Sequence, residues 1–261
     1  MYIPIYATPR PSRRFWPVVQ RNLLVWKKLA VPSVLGNIAE PLITLIAFGY
    51  GLGTLIGEVQ GLPYIEFLAS GSIAVSGALA ATFEALYSAY SRMQVQKTWD
   101  SIMNAPIALD DIVFAEMLWA AMKSLFSVAA IMLVLVALDI SRSPMLILAL
   151  PLLGFVGVTF ASIALVFNAL AKGYDFFTYY FTLVMTPMTF LSGVYFPIEQ
   201  MPLWLQRVAN VLPLTAAVEL VRPLVIGQWP AEVLRPLAVL VVYAAGGYYL
   251  ALVLTRRRFY R

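Results

Sequence analysis

The sequence predicts an all-α integral membrane protein with six transmembrane helices, and three observations support this prediction. Of the 261 residues, 61% are hydrophobic and 12% are charged, whereas a soluble domain usually carries about 25% charged residues. Apolar runs of about 20 residues, the length that crosses a bilayer as a helix, recur along the chain. No stretch alternates polar and apolar residues in the manner of a membrane β-barrel. The apolar runs are therefore expected to pack as a helical bundle within a bilayer.

The first element expected is a basic amphipathic helix over residues 10–28. Arginines lie on its polar side and bulky apolar side chains recur on the other, which is typical of a helix in the membrane interface. The pair Arg13-Arg14 also suggests a twin-arginine export signal, but Pro17 interrupts the apolar stretch that such a signal needs. We therefore expect an interfacial helix whose apolar residues are Phe15, Trp16, Val19, Leu23 and Trp26.

Six spans follow within a single membrane domain that covers residues 1–261. A loop at residues 91–111 separates the second span from the third, and a broken segment at residues 197–222 precedes the last. The spans are expected at about 29–56, 64–90, 112–138, 145–171, 174–196 and 237–255.

The distribution of lysine and arginine predicts that both termini are cytoplasmic. Basic residues are concentrated in the N-terminal arm, in the 91–111 loop and at residues 256–261, and such residues mark the cytoplasmic side of a membrane protein. The broken segment then faces outward, although Arg207, Arg222 and Arg235 run against the rule. Because topology explains the net charge of +5, we predict no nucleic-acid partner.

The broken segment is the most informative part of the chain. Its predicted breaks and turns are marked by Gly193, Phe196, Pro197, Pro202 and Pro213, and its last helix carries Arg222. Irregular backbone at membrane depth is tolerated only where protein or a water-filled cavity covers it. A plain anchor helix has no use for this construction, so the pattern indicates a re-entrant helical hairpin in a transport machine.

The 91–111 loop contains a second amphipathic element. Trp99, Ile102, Met103 and Pro106 fall on one side at helical spacing, with polar residues on the others. This helix is either a lever on which a partner pushes or a helix lying on the membrane surface, and the sequence leaves both open. Asp110 or Asp111 then suits the N-cap of the third span.

Four ionisable residues fall inside or near the predicted hydrocarbon region, namely Glu40, Glu84, Glu116 and Lys123. Intramembrane charges normally face a partner or a cavity. Glu116 and Lys123 are seven residues apart and share a helix face, and antiparallel packing of spans two and three would pair Glu84 with Lys123. The cluster is either a structural ion pair or part of a substrate or proton pathway.

The fifth span opens with a run of aromatic residues that includes Tyr179, and Thr186 belongs to a small polar stripe further along it. The aromatic run is either an interfacial belt or a platform on which a sugar or lipid stacks.

The residue content limits the chemistry. The chain has no histidine and no cysteine, and it contains no phosphate-binding loop of the GxxxxGK[ST] type. We therefore predict no catalytic and no metal-binding residues. An intramembrane enzyme would need serine–lysine chemistry, for which Lys123 with Ser124 or Ser127 is the nearest candidate. An ion-coupled carrier would use Glu84, Glu116 and Lys123, but the internal repeat typical of such carriers is missing.

Several sequence blocks resemble the membrane subunit of type-2 ABC exporters, and within them the branch of the nodulation protein J permeases, which export lipooligosaccharides. The resemblance covers nearly the whole chain in one register. Its blocks are Gly36-Asn37-Ile38-Ala39-Glu40-Pro41, Phe48-Gly49-Tyr50-Gly51-Leu52-Gly53, Ala81-Thr82-Phe83-Glu84, Thr98-Trp99 through Ala105-Pro106, Leu191-Ser192-Gly193 with Phe196-Pro197 and Pro202, and Leu212-Pro213-Leu214 through Arg222-Pro223.

The resemblance implies a homodimer in the bacterial inner membrane with two ABC ATPase subunits, which would bind ATP and Mg while this chain binds no cofactor. The cargo would be an amphiphilic lipooligosaccharide, polysaccharide or glycolipid, with drug or lipid efflux as the alternative. The hairpin would cap the exit of the pathway. The 91–111 loop would hold the coupling helix that touches the ATPase, through Gln94, Lys97, Thr98, Trp99, Ile102, Met103 and Pro106.

Overall fold

Helix α7 (Leu146–Leu170) lies at the centre of the bundle in the computed structural model, which describes residues 5–260 apart from the side chains of Asn37 and Glu40. It packs against α12 (Leu234–Phe259), α6 (Leu109–Ala137) and α4 (Tyr64–Phe83). All four are long and strongly apolar, so burial of their facing side chains holds the bundle together. Fully buried residues of α7 include Leu153, Val156 and Phe160.

The second long helix continues well beyond α4. Two π-helical stretches, Glu84–Ser88 and Ser91–Val95, extend it to the end of the bundle that carries the first and the last described residues. We call this end the terminal end and the opposite one the hairpin end. Lys97, with a left-handed φ of 53°, separates this long helix from the short helix α5 (Thr98–Met103).

The N-terminal third lies along one side of these helices. Helix α1 (Phe15–Lys27) packs on α6, and α2 (Ala30–Thr44) continues as a π-helical stretch, Leu45–Tyr50, before the one-turn helix α3 (Gly53–Ile56). An antiparallel hairpin of β1 (Glu58–Val59) and β2 (Leu62–Pro63) then leads into α4. Helix α2 leaves several of its apolar side chains exposed, among them Val31, Leu35 and Ile43.

The region predicted as the fifth span and the hairpin is broken into short pieces. Helix α8 (Asp175–Tyr180), a π-helical stretch (Phe181–Met185) and α9 (Thr186–Leu191) form one continuous segment. A 3₁₀ turn (Ile198–Gln200), α10 (Leu203–Ala209) and α11 (Pro213–Val225) follow. Helices α10 and α11 are bent by 83° at the break between them, so the sequence-predicted break at Pro213 is present.

Five helices of the described residues are long and apolar enough to cross a membrane, or up to six if the bent pair counts as one span. The prediction of an all-α membrane protein is therefore confirmed. The predicted span at residues 174–196 is not among these helices: its helical part runs only from Asp175 to Leu191 and measures about 25 Å at ~1.5 Å per residue.

Gly193 ends this short segment in a conformation that other residues adopt at a cost. Its φ is +71°, and a Cβ atom would lie 2.9 Å from Cγ1 of Ile198. Gly193→Ala should therefore lower the free energy of unfolding by about 2 kcal/mol, through left-handed strain and this clash. Thermal unfolding in detergent measures the change, and Gly173→Ala is the control because a Cβ there meets no atom within 4 Å. Equal melting temperatures of the two variants would show that the conformation at Gly193 imposes no strain on alanine.

Candidate functional site

A network of buried charges joins α4 and α6 near the terminal end. Its centre is Arg92, whose guanidinium donates from Nη2 to Glu84 Oε1 at 2.8 Å and forms two hydrogen bonds to Glu116, at 2.9 Å from Nε and 2.5 Å from Nη2. The two carboxylates are 3% and 1% exposed. A fork of two parallel hydrogen bonds is the strongest geometry for an arginine–carboxylate pair.

Both carboxylates accept hydrogen bonds from further donors. Lys123 Nζ lies 2.7 Å from Glu84 Oε2, and the Trp119 indole donates to the same carboxylate at 2.8 Å. Glu116 accepts from the Trp99 indole at 3.1 Å. The carboxylates and the two cations balance in charge, and such completion is what a buried ion network requires to avoid a large desolvation cost.

The predicted pairing of Glu84 with Lys123 is thus present, but the role of Arg92 was not predicted. Arg92 was expected in a cytoplasmic loop, whereas it lies on the helical extension of α4 with a side chain only 13% exposed. The signal was available, because Glu84, Ser88 and Arg92 repeat at four-residue spacing and so lie on one helical face. The π-helical stretches add the wider turns that such sites often contain.

Helix α5 differs most from the prediction. Trp99 was expected to contact the partner, but its side chain is 1% exposed and its ring lies 6.1 Å from that of Phe259. Trp99 therefore holds α5 against the charge network and presents no surface to a partner. Among the other predicted coupling residues, Gln94, Thr98, Ile102 and Met103 are half-buried, and the exposed ones are Lys97 and Pro106.

Helix α1 is tied to the same region. Val18 and Val19 are buried against Ala115 of α6, and the Arg14 guanidinium donates to the carbonyl of Pro106 at the end of the 91–111 loop. Asn22 of α1 also donates to Glu116, at 3.4 Å. Helices α1, α4, α5 and α6 are therefore linked at the terminal end, largely through Glu116.

A second ion pair closes the terminal end. Arg256 of α12 is fully buried and forms a two-point contact with Asp110, and it also donates to the carbonyl of Ala7. The backbone of Ser12 donates to Asp111. The expectation that Asp110 or Asp111 is an N-cap is wrong: α6 begins at Leu109, and Asp111 instead accepts from the backbone N–H of Ala108.

At the hairpin end, the structure brings Gly193 and Arg222 together. The Arg222 guanidinium donates to the Gly193 carbonyl at 2.7 Å and to Ser70 Oγ at 3.1 Å, and it lies 3.9 Å from the centre of the Phe67 ring. Gly71 makes this approach possible, because a Cβ there would lie 2.9 Å from Nη2 of Arg222. Of the other hairpin residues, Pro197 and Pro213 are buried, and Phe196 and Pro202 are exposed.

The remaining predicted pathway residues do not join these groups. Thr186 lines a groove of about 270 Å³ between α4 and the α8–α9 segment, together with Phe83, Phe181 and Phe190. Tyr179 is 64% exposed and is not among the residues that line this groove. The prediction for Glu40 concerns a side chain that lies outside the described residues.

The energetic value of the Glu84–Lys123 pair can be measured by a double-mutant cycle of Glu84→Gln and Lys123→Met. Because Arg92 and Trp119 remain on Glu84 when Lys123 is removed, we expect a coupling energy of about 1 kcal/mol. Thermal unfolding of the four proteins gives this value. The control is Glu66→Gln, on the same long helix at the hairpin end, whose effect on stability should add to that of Lys123→Met. If the effect of Glu84→Gln also adds to that of Lys123→Met, the two residues do not interact.

Comparison with known proteins gives matches over most of the chain. Residues 13–226 match the family model described as ABC-2 type transporter. Nodulation protein J of Rhizobium leguminosarum bv. viciae is 43% identical over 257 residues, 98% of this chain and 99% of the relative. Nodulation protein J of Sinorhizobium fredii (strain NBRC 101917 / NGR234) is 40% identical over 255 residues, 97% of each chain. The inner membrane transport permease YadH of Escherichia coli (strain K12) is 24% identical over 242 residues, 92% of this chain and 91% of the relative.

Proposed function

The chain belongs to the ABC-2 type transporter family, and from this premise we propose that it is the permease subunit of an ATP-driven exporter. Two copies would form the membrane part, and two ABC ATPase subunits would bind and hydrolyse ATP. The terminal end would face the cytoplasm of a bacterium across its inner membrane, and the hairpin end would face outward.

The observation that carries this proposal is the attachment of α5 to the bundle. The helix has an exposed outer face, which includes Asp100, Ser101 and Asn104, and an inner face fixed by the hydrogen bond of Trp99 to Glu116. Arg92 then joins Glu116 to Glu84. A push on the outer face would therefore act on α6 through Glu116 and on α4 through Arg92, which is the behaviour required of a coupling helix.

The groove beside α8 and α9 supports an amphiphilic cargo. Three of its aromatic rings, those of Phe83, Phe181 and Phe190, offer apolar surface, and Thr186 adds a hydroxyl group. Aromatic rings suit both the faces of sugar rings and acyl chains. We propose a lipooligosaccharide, polysaccharide or glycolipid as cargo, in keeping with the resemblance to the nodulation protein J branch, and a lipid or drug as the alternative.

The charge network argues against an ion-coupled carrier. A proton pathway needs carboxylates that can release and accept protons, whereas Glu84 and Glu116 are both held by Arg92, and Glu84 also by Lys123. Both carboxylates are thus occupied by ion pairs within the chain, which suits a structural role.

The test uses the chain reconstituted in proteoliposomes with its ABC ATPase. Ser101→Arg places a bulky cation on the exposed face of α5 and should abolish cargo-stimulated ATP hydrolysis and export, while the melting temperature stays unchanged. Substitution of Trp99 is unsuitable because it would also disturb the core.

Gln228→Arg serves as the matched control, since Gln228 is exposed near the hairpin end and should retain both activities. Export by the chain alone, or export that stops when the proton gradient collapses and ignores ATP, would refute the proposal.

A further inference from the structure

A cavity of about 220 Å³ lies between α1, the start of α2 and the charge network. Its inner wall is charged and its outer wall is partly apolar. The inner wall consists of Glu84, Arg92, Trp119 and Lys123, and the outer wall includes Arg21, Asn22, Val25, Trp26, Leu29 and Ser33.

The cavity carries a surplus of positive charge. Three cations, Arg21, Arg92 and Lys123, line it, against the carboxylate of Glu84 on the wall and that of Glu116 directly behind Arg92. Arg92 and Lys123 are paired with these carboxylates. Arg21 forms no ion pair with any carboxylate that the structure describes, so one positive charge is left over.

Arg21 and Lys123 also have donors to spare. Arg21 donates to the side chain of its neighbour Asn22 at 3.0 Å, and a guanidinium has five N–H donors in all. Lys123 gives one of its three donors to Glu84. Burial and the repulsion of the nearby Arg92 lower the pKa of the Arg21 guanidinium. An anion bound beside Arg21 would offset both effects.

The rim of the cavity indicates what kind of molecule would carry the anion. Val25 and Leu29 are 54% and 63% exposed at its mouth, and Leu24 beside them is 65% exposed. The exposed Lys27 and Lys28 lie at the end of α1, as in a helix that lies in the membrane interface. An anionic group inside the cavity would thus continue into apolar chains lying along this surface.

We propose that this cavity is a binding site for the phosphodiester headgroup of an anionic lipid, with Arg21 and Lys123 as its ligands and the acyl chains on Val25 and Leu29. Arginine binds phosphate oxygens through two parallel hydrogen bonds, and lysine binds them as a point charge. Lipid binding at this site requires neither the ATPase nor the cargo, so it stands or falls independently of the proposed transport function.

The test measures lipid binding to the purified chain in neutral detergent by native mass spectrometry, with phosphatidylglycerol and phosphatidylcholine as probes. The wild-type chain should bind phosphatidylglycerol at least ten times more tightly than phosphatidylcholine. Arg21→Gln should weaken phosphatidylglycerol binding about tenfold and leave phosphatidylcholine binding as it was. Arg21→Lys, which keeps the charge, should stay within about threefold of the wild type.

Lys27→Gln is the matched control, because it removes the same charge from an exposed position of the same helix and should change the affinity less than twofold. Equal losses in Arg21→Gln and Lys27→Gln, or equal binding of the two lipids by the wild type, would overturn the site. Displacement of phosphatidylglycerol by millimolar inorganic phosphate would overturn the assignment to a lipid headgroup. In the absence of phosphatidylglycerol, all variants should have the melting temperature of the wild type. This result would separate loss of the ligand from loss of the fold.

Discussion

Arg92→Met should lower the free energy of unfolding by about 3–5 kcal/mol, the cost expected when one partner of a buried ion network is removed. Glu84 would keep Lys123, but Glu116 would be left with the neutral donors of Trp99 and Asn22. For a chain of this length the loss corresponds to a melting temperature lower by about 10 °C, measured by thermal unfolding in detergent.

Two further variants sharpen this prediction. Combining Arg92→Met with Glu116→Gln removes the orphaned charge and should recover part of the lost stability. Lys97→Met removes an exposed lysine five residues further along the chain and should melt within about 2 °C of the wild type. If Arg92→Met and Lys97→Met have the same melting temperature, the charge network does not stabilise the bundle.

Arg256→Met should destabilise the protein by a similar amount, about 3–5 kcal/mol. The side chain is fully buried, and its removal leaves the buried carboxylate of Asp110 without a cation. It also frees the carbonyl of Ala7, so the segment should loosen up to Ser12, which stays bonded to Asp111. Thermal unfolding and limited trypsin cleavage at Arg10 and Arg13 measure the two effects together.

The control is Arg257→Met, at the next position of α12, where the side chain is only half-buried and forms no ion pair with a described carboxylate. It should leave both the melting temperature and the trypsin pattern unchanged. Equal behaviour of the two variants would contradict the anchoring role of Arg256. Asp110→Asn should couple to Arg256→Met but add to Arg257→Met in a double-mutant cycle.

The sequence predicts the hairpin well because its signals are local. Gly193 adopts a positive φ, and Pro213 begins α11, where its missing N–H costs nothing. The pairing of Glu84 and Lys123 was also predictable, because antiparallel neighbours place the end of one span beside the start of the next. In each case a short-range rule decides the outcome.

The inward orientation of Trp99 was not predictable from spacing. An amphipathic pattern shows that one face of a helix avoids water, but it does not say whether a partner, the lipid or the same protein covers that face. The burial and pairing of Arg92 and Arg256 were not predicted, for a related reason. The rule that assigns topology counts basic residues near the ends of spans and carries no information on which of them are paired and buried.

The shortness of the α8–α9 segment bears on the membrane around it. A helix of about 25 Å falls several ångströms short of a hydrocarbon layer of about 30 Å, and such hydrophobic mismatch draws the two leaflets together or recruits a neighbouring subunit. This segment borders the aromatic groove, so any local thinning would fall beside the groove that we propose for the cargo. The length of the surrounding acyl chains should therefore affect the fit of this segment in the bilayer more than the fit of its longer neighbours.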